Sequence, residues 1–164
     1  MNLWKYYDGD LKYPDLNNHS HEKEIAKTNP KWAFEYALKH GKDEDLEPAI
    51  AKAADYSFKY THNILRSKPF PLGEPAIAKN AYLAYSYARY ILKGPFKLGE
   101  PAIATGPWES LFYAKEILKG PFPLGEKAIA KNAEYSKEYT KNVLKKDFYL
   151  DGKLICEYDE DEDY

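Results

Sequence analysis

The sequence of 164 residues has a single cysteine, Cys156, and no long run of apolar residues. One cysteine excludes an internal disulfide framework and is typical of a protein from a reducing compartment. No stretch approaches the roughly 18 apolar residues of a membrane span, and the start of the chain shows no signal-peptide pattern. These absences predict a cytoplasmic protein that does not enter a membrane.

The sequence also lacks the motifs that usually carry catalysis or cofactor binding. It has no Walker-type or dinucleotide glycine loop. His19 and His21 form a His-x-His pair that could contribute two metal ligands, but no cysteine or acidic box at ligand spacing accompanies them. Cys156 has no base beside it, so we expect it to pack rather than react. We therefore predict a non-catalytic protein with no metal and no cofactor.

Neither acidic nor basic residues are in large excess, except at the C-terminus. The formal net charge is -2, and residues 157–164 hold six carboxylates and no base. The remaining chain therefore carries a surplus of only about four positive charges. This surplus is far from the clustered basic face that phosphate neutralisation requires, which disfavours nucleic acid as a partner. We expect the acidic tail to be disordered.

The sequence consists largely of a tandem repeat. The phrase Glu-Pro-Ala-Ile-Ala-Lys, with small changes, begins at Glu47, Glu74, Glu100 and Glu126, and a weaker copy begins at Glu22. Successive central isoleucines are 25, 27, 26 and 26 residues apart. They are Ile25, Ile50, Ile77, Ile103 and Ile129. A period in this range is typical of stacked-repeat proteins.

Each copy predicts a short helix followed by a longer one. Pro75 suits the first turn of the short helix, and Asn80 is a good N-cap for the long helix. The long helix carries one apolar stripe at helical spacing, formed in this copy by Ala84, Tyr87, Ala88, Ile91 and Leu92. In the first copy, His40 and Gly41 replace the last two stripe residues, which predicts a shortened helix.

The linkers between the helices carry two further predictions. We expect Gly94 and Gly120 to adopt the left-handed conformation that ends a helix, with the prolines after them preventing its continuation. The linkers are too apolar to be solvated, so their large side chains should fill the gaps between helix pairs. These side chains are Phe70, Leu72, Phe96, Leu98, Phe122 and Leu124.

These signals predict an all-α fold, a short α-solenoid of about five 26-residue helix-turn-helix repeats. Fixing the backbone costs roughly 1–2 kcal/mol per residue, while burying one large apolar side chain returns about 1.5–3 kcal/mol, so a single repeat cannot fold alone. We predict an N-terminal cap at 1–21, repeats at 22–152, and a degenerate half-repeat with the acidic tail at 153–164. The alternative at the ends is a hairpin about Asp151-Gly152, with another near Tyr6–Tyr13.

The wording of the repeat resembles that of uncharacterised tandem-repeat proteins of large bacteriophages and some bacteria. The resemblance rests on Glu74-Pro-Ala-Ile-Ala-Lys79, on the Ala-Tyr-x-Tyr-Ala helix from Ala84, and on the Lys-Gly-x-Phe-Pro linker from Lys119. It covers residues 22 to about 152. It implies a helical array and a phage or mobile-element origin, and it brings no activity or site residue with it.

Several aromatic residues fall outside the apolar stripe. At about 100 degrees per residue, Tyr82 and Tyr90 point away from it, and Trp108 and Phe112 occupy the same outward arc in the next copy. Such rings in register would form a partner surface, with Arg89 beside them. The alternative is that short helices and loops cover the rings, which would make them ordinary core.

We therefore predict a protein-interaction module that binds a protein partner, in its specific version a phage-encoded inhibitor of a bacterial defence protein. The alternative is a small-molecule or nucleotide binder, with an aromatic groove between repeats and converging Lys79, Arg89 and Lys115. Association between copies of the chain is left open.

Overall fold

A computed structural model describes residues 19–160, and 61% helix content confirms the predicted all-α class. The chain forms two compact units that divide between Gly73 and Glu74. The predicted boundary between the N-terminal cap and the first repeat lies inside a helix that begins at His19. The rest of that cap, including the alternative hairpin at Tyr6–Tyr13, lies outside the described residues.

The first unit contains four described helices around one apolar core. They are α1 (His19–Ala26), α2 (Pro30–His40), α3 (Glu47–Ile50) and α4 (Ala54–Asn63). Helix α2 packs against the other three, and Ile25, Trp32 and Ile50 are buried between them. Helix α2 ends at His40, and Gly41 follows it with a φ of 94°, but with 11 residues it is not shorter than α4, which has 10.

The second unit contains six further helices and a hairpin between residues 74 and 160. They are α5 (Glu74–Ile77), α6 (Ala81–Ser86), α7 (Glu100–Ile103), α8 (Pro107–Phe112), α9 (Pro123–Ile129), α10 (Ala133–Tyr139), β1 (Phe148–Leu150) and β2 (Lys153–Cys156). A 3₁₀ turn, Lys97–Gly99, precedes α7. Within this unit α6 contacts α8, and α8 contacts α10. The long helices of successive repeats are therefore neighbours here.

Asparagine side chains start the long helices, as predicted. The side-chain oxygen of Asn80 accepts a hydrogen bond from the Leu83 N–H at 2.9 Å, and that of Asn132 accepts one from the Tyr135 N–H at 3.0 Å. Each bond satisfies a backbone donor that has no partner inside the helix. Gly106 and Pro107 replace this cap at the start of α8.

The isoleucine of every copy is buried, which confirms the register deduced from the repeat. A serine on the following long helix fixes this register in three copies. The hydroxyls of Ser57, Ser110 and Ser136 donate to the carbonyls of Ile50, Ile103 and Ile129 at 3.0–3.2 Å. The serine thus ties the short helix to the long helix of the same copy.

A buried tyrosine connects three parts of the repeat. The Tyr113 hydroxyl donates to Glu100 Oε1 at 2.9 Å and accepts a hydrogen bond from the Phe96 N–H at 2.9 Å. Its ring lies 5.1 Å from that of Phe122 in the next linker. Tyr139 repeats this arrangement with Glu126, Phe122 and Phe148. The glutamate that heads each short helix is therefore a tyrosine acceptor as well as a first-turn charge.

The linker phenylalanines are buried as predicted, but the prediction for the leucines is wrong. Phe96 and Phe122 are 3% exposed, whereas Leu98 and Leu124 are 54% and 57% exposed. Leu72 is likewise exposed in the first unit. The phenylalanine ring lies over the glycine three residues further on, so the leucine between them is left facing outward.

The long helices of the second unit change geometry halfway. The helices α6, α8 and α10 continue as π-helical segments, Tyr87–Leu92, Tyr113–Leu118 and Thr140–Leu144. The prediction that Gly94 and Gly120 are left-handed is wrong. The lysine before each of them, Lys93 or Lys119, has a positive φ of 53° or 52°. The helices therefore end at Leu92 and Leu118, one residue earlier than left-handed glycines at 94 and 120 would require.

The C-terminal segment is a hairpin rather than the predicted half-repeat. Strands β1 and β2 pair antiparallel, and Asp151 and Gly152 form the turn with φ values of 50° and 77°. Asp-Gly tolerates positive φ at both positions, which favours this turn. Phe148 keeps its repeat position, because its ring packs 5.4 Å from that of Tyr139.

Two glycines five residues apart should respond oppositely to alanine. In Gly125→Ala the new methyl carbon would lie 2.5 Å from a Phe122 ring carbon and 2.7 Å from Ser110 Cβ. This overpacking should lower the free energy of unfolding by about 1–3 kcal/mol. The control Gly120→Ala meets nothing nearer than a backbone oxygen at 3.9 Å. Because the φ of Gly120 is not positive, this variant should leave the free energy of unfolding unchanged or raise it by about 0.4–1 kcal/mol, as measured by denaturant unfolding. Equal effects would contradict the packing described.

Candidate interaction surface

The aromatic residues predicted to lie off the stripe share one surface of α6 and α8. Tyr82 and Tyr90 are 58% and 52% exposed, and Trp108 and Phe112 are half-buried. We call these four residues together with Tyr85 the aromatic face. The neighbouring long helices hold their side chains in one area because α6 and α8 are in contact.

Trp108 lies at the centre of the aromatic face. Its ring centroid is 4.7 Å from that of Phe112, 5.1 Å from that of Tyr85 and 6.4 Å from that of Tyr82. The contact with Tyr85 is edge-to-face at 81°. Tilted and edge-to-face pairs at these distances stabilise each other beyond simple area burial. The face is therefore an ordered cluster in which Tyr82 retains an accessible ring.

Arg89 connects Tyr90 to this cluster. Its Nη1 donates to the Tyr85 hydroxyl at 2.7 Å and lies 2.9 Å from Glu116 Oε2. Its guanidinium carbon lies 5.2 Å from the centroid of the Tyr90 ring, within the range of a cation–π contact. Among the predicted site residues, Trp108 is thus in ring contact with Tyr82 and Phe112, whereas Tyr90 is linked to them through Arg89 and Tyr85.

Two residues that organise this surface, Tyr85 and Glu116, were not among the predicted site residues. Tyr85 is 1% exposed, and its hydroxyl donates to Glu116 Oε2 at 2.6 Å while accepting from Arg89. Burial, followed by the Glu116 carboxylate, raises the pKa of Tyr85 above its usual range. The sequence contained one indication of the contact between Tyr85 and Arg89, because residues four apart on a helix lie side by side.

Cationic side chains flank the face without forming the predicted nucleotide pocket. A groove of about 590 Å³ is lined by Arg89, Lys93 and Lys119, with Glu116 among them. Neither Lys79 nor Lys115 lines this groove. Lys115 instead pairs with Glu138 at 2.7 Å and lies 5.9 Å from the Phe112 ring. The alternative set of Lys79, Arg89 and Lys115 is therefore not assembled in this groove.

The remaining candidates for chemistry stay separate. Cys156 lies half-buried at the end of β2, and its Sγ is 3.4 Å from the Glu157 carbonyl oxygen. Among the described side chains, which begin at His21 and end at Glu160, no three His, Cys, Asp or Glu residues lie close enough to hold a metal ion. No helix in this described part is long and apolar enough to cross a membrane.

No family model, no curated protein and no solved structure matches this chain.

Removing the Tyr85 hydroxyl should change how stability depends on pH. Because the pKa of Tyr85 is higher in the folded state, its contribution is present below about pH 10 and is lost as the pH rises further. Tyr85→Phe should cost about 1 kcal/mol at pH 7, since Arg89 and Glu116 lose a partner. The difference between the two proteins should shrink in denaturant unfolding above pH 10. A constant difference up to pH 11 would contradict this assignment.

Proposed function

We propose that the protein is a non-catalytic interaction module and that the aromatic face binds another protein. The observation that supports this most is the placement of Trp108 against both Phe112 and the exposed Tyr82. Tyrosine, tryptophan and arginine are the residues that most often dominate the energy of protein interfaces. Rings held in place by their neighbours also lose little freedom on binding.

The aromatic face combines exposed rings with a buried and hydrogen-bonded one, and this combination supports binding by this surface. A purely structural cluster would be covered, yet Tyr82 and Tyr90 are more than half exposed. A cluster without support would be mobile, yet Arg89 and Glu116 hold Tyr85 beneath Trp108. An ordered base with exposed rings at its edge is the arrangement expected of an interface anchor.

We propose that the repeats build a short α-solenoid that presents this surface. In the second unit, α6, α8 and α10 contact one another in sequence order, and α7 contacts α9. Contacts between equivalent elements of adjacent repeats are the feature on which solenoid stability depends. The described helices of the first unit use the same short-then-long pattern.

The partner we propose is a host bacterial protein, and the chain would act as a phage-encoded inhibitor of a defence protein. This part of the proposal rests on the resemblance of the repeat wording to phage proteins. A small repeat protein suits inhibition by binding, because it needs only a surface that competes with the normal partner of its target.

A nucleotide binder is the second candidate, favoured by the groove that Arg89, Lys93 and Lys119 line. The groove is open, and it places Glu116 where it would repel a phosphate. A clear thermal shift with ATP or GTP at micromolar concentration would favour this second function. Protein binding predicts no such shift.

The test of the aromatic face compares two pairs of substitutions in co-purification from the natural host. Tyr82→Ser with Trp108→Ser should abolish capture of the partner, because interface anchors of this kind typically cost 2 kcal/mol or more when truncated. The control is Leu98→Ser with Leu124→Ser, which removes exposed apolar side chains outside this surface and should leave capture unchanged.

Circular dichroism and the melting temperature of both double variants show whether each is folded. A single Tyr90→Ser variant, which removes a mostly exposed ring, provides a second measurement if Trp108→Ser reduces stability. Undiminished capture by folded variants of the aromatic face would contradict the proposed function, as would equal loss in the leucine control.

A further inference from the structure

Basic residues occupy the same two positions in three successive repeats of the second unit. The first position holds Arg89, Lys115 and Lys141, and the second holds Lys93, Lys119 and Lys145. We call these six residues the basic row. They lie on the π-helical segments that continue α6, α8 and α10 or directly follow them. These segments contact one another in order, so the row crosses adjacent repeats.

The second position is unfavourable for lysine. Lys93, Lys119 and Lys145 have φ values of 53°, 52° and 52°. A residue with a Cβ is strained in this conformation, and glycine is the usual residue there. The attraction of a cation to the helix dipole at a C-terminus is weaker than this strain. The dipole therefore does not account for lysine in all three copies.

These three lysines are available for a ligand. Their side chains are exposed, and no described carboxylate between residues 19 and 160 lies within 4.0 Å of their ammonium groups. By contrast, Arg89 and Lys115 already pair with Glu116 and Glu138. The lysines with a left-handed φ are therefore the ones whose ammonium groups have no described carboxylate within 4.0 Å.

The acidic C-terminal segment lies beside the third pair of the row. A groove of about 360 Å³ is lined by Lys141 and Lys145 together with Tyr158, Asp159 and Glu160. An adjoining groove of about 340 Å³ is lined by Thr140 and Lys141 together with Glu157 and Asp159. The Tyr158 N–H donates to Asp147 Oδ1 at 2.9 Å. Residues 157–160 of the tail, expected to be disordered, therefore form walls of the two grooves at the third pair, and residues 161–164 lie outside the described part.

The first two pairs of the row present the same chemistry in the groove of about 590 Å³ already described. Arg89, Lys93 and Lys119 line it together with the apolar Pro95 and Ile117. Residues 157–160 do not line this groove. It is therefore open to a second acidic segment.

We propose that the basic row binds an extended acidic peptide segment and that the chain's own C-terminal segment occupies its third pair and limits access. Packed helices are about 8–10 Å apart, and a chain in the extended polyproline II conformation brings every third side chain to the same face about 9 Å further on. An acidic peptide in this conformation can therefore place one carboxylate at each repeat. Glu116 can accept a peptide N–H, whereas a phosphate backbone has no donor to offer it.

This proposal does not depend on the aromatic face, because it concerns a different ligand and a different set of side chains apart from Arg89. Its test measures the binding of a fluorescein-labelled peptide with the sequence of residues 157–164 by fluorescence anisotropy. The protein is the full chain or a full-length variant in which amides replace the six tail carboxylates. These substitutions are Glu157→Gln, Asp159→Asn, Glu160→Gln, Asp161→Asn, Glu162→Gln and Asp163→Asn.

The amide-tail variant should bind the peptide about tenfold more tightly than the natural chain. This ratio corresponds to a tail that occupies the third pair roughly nine-tenths of the time and must be displaced by a peptide that spans all three pairs. Binding should also weaken as salt is added, because exposed charges are screened. Equal affinity of the two proteins would overturn the proposal.

Substitutions in the amide-tail variant locate the site. Lys93→Gly with Lys119→Gly should reduce affinity about tenfold or more while leaving the melting temperature equal or higher, since glycine relieves the left-handed strain. Lys127→Gln with Lys131→Gln removes the same charge from exposed positions in another part of the repeat and should change affinity less than about twofold. Equal losses in both pairs would overturn the proposal. Tighter binding of a single-stranded DNA of equal charge would also overturn it, in favour of a nucleic-acid site.

Discussion

The hydrogen bonds of one buried tyrosine hydroxyl hold each repeat of the second unit together. Tyr113 donates to the glutamate that heads its short helix and accepts from the backbone of the preceding linker, at 2.9 Å in both cases. Both capacities of a buried hydroxyl are thus satisfied, which is the condition under which a polar group stabilises a core. A bond to a carboxylate contributes roughly 1.5–3 kcal/mol, and the ring contact with Phe122 extends the connection to the next repeat.

This network leaves other positions of the long helix free to vary. Tyr82 is replaced by Trp108 in the next repeat, and Ser86 is replaced by Phe112, while the buried tyrosine of each repeat keeps its hydrogen bond of 2.9 Å to the glutamate that heads the short helix. The aromatic face and the basic row are both built from such variable or solvent-facing positions. The buried scaffold is therefore the same in each repeat. The proposed aromatic face depends on positions that differ between neighbouring repeats, and the proposed basic row depends on positions that are basic in all three.

The period and the hydrophobic pattern were enough to predict the helices, the buried isoleucines, the asparagine caps and the grouping of Trp108 with Tyr82. They did not predict the π-helical segments, because a widened turn over six residues keeps nearly the same apolar stripe. The packing role of Gly125 was also not predicted. In a sequence, a glycine that leaves room for an aromatic ring cannot be distinguished from a glycine that caps a helix. One signal was present: in the copy that begins at Glu47, Asp43 replaces the linker phenylalanine and Leu46 replaces the glycine, so the two positions change together.

The most direct test of this account is amide hydrogen exchange in Tyr113→Phe, measured at residue resolution. The Phe96 amide is bound to the Tyr113 hydroxyl, and the Phe122 amide is bound to that of Tyr139. The substitution should speed exchange at Phe96 by about tenfold relative to exchange at Phe122, the effect of losing a bond of about 1.4 kcal/mol. An unchanged ratio of the two rates would show that the tyrosine hydroxyl does not hold the linker and would contradict the account.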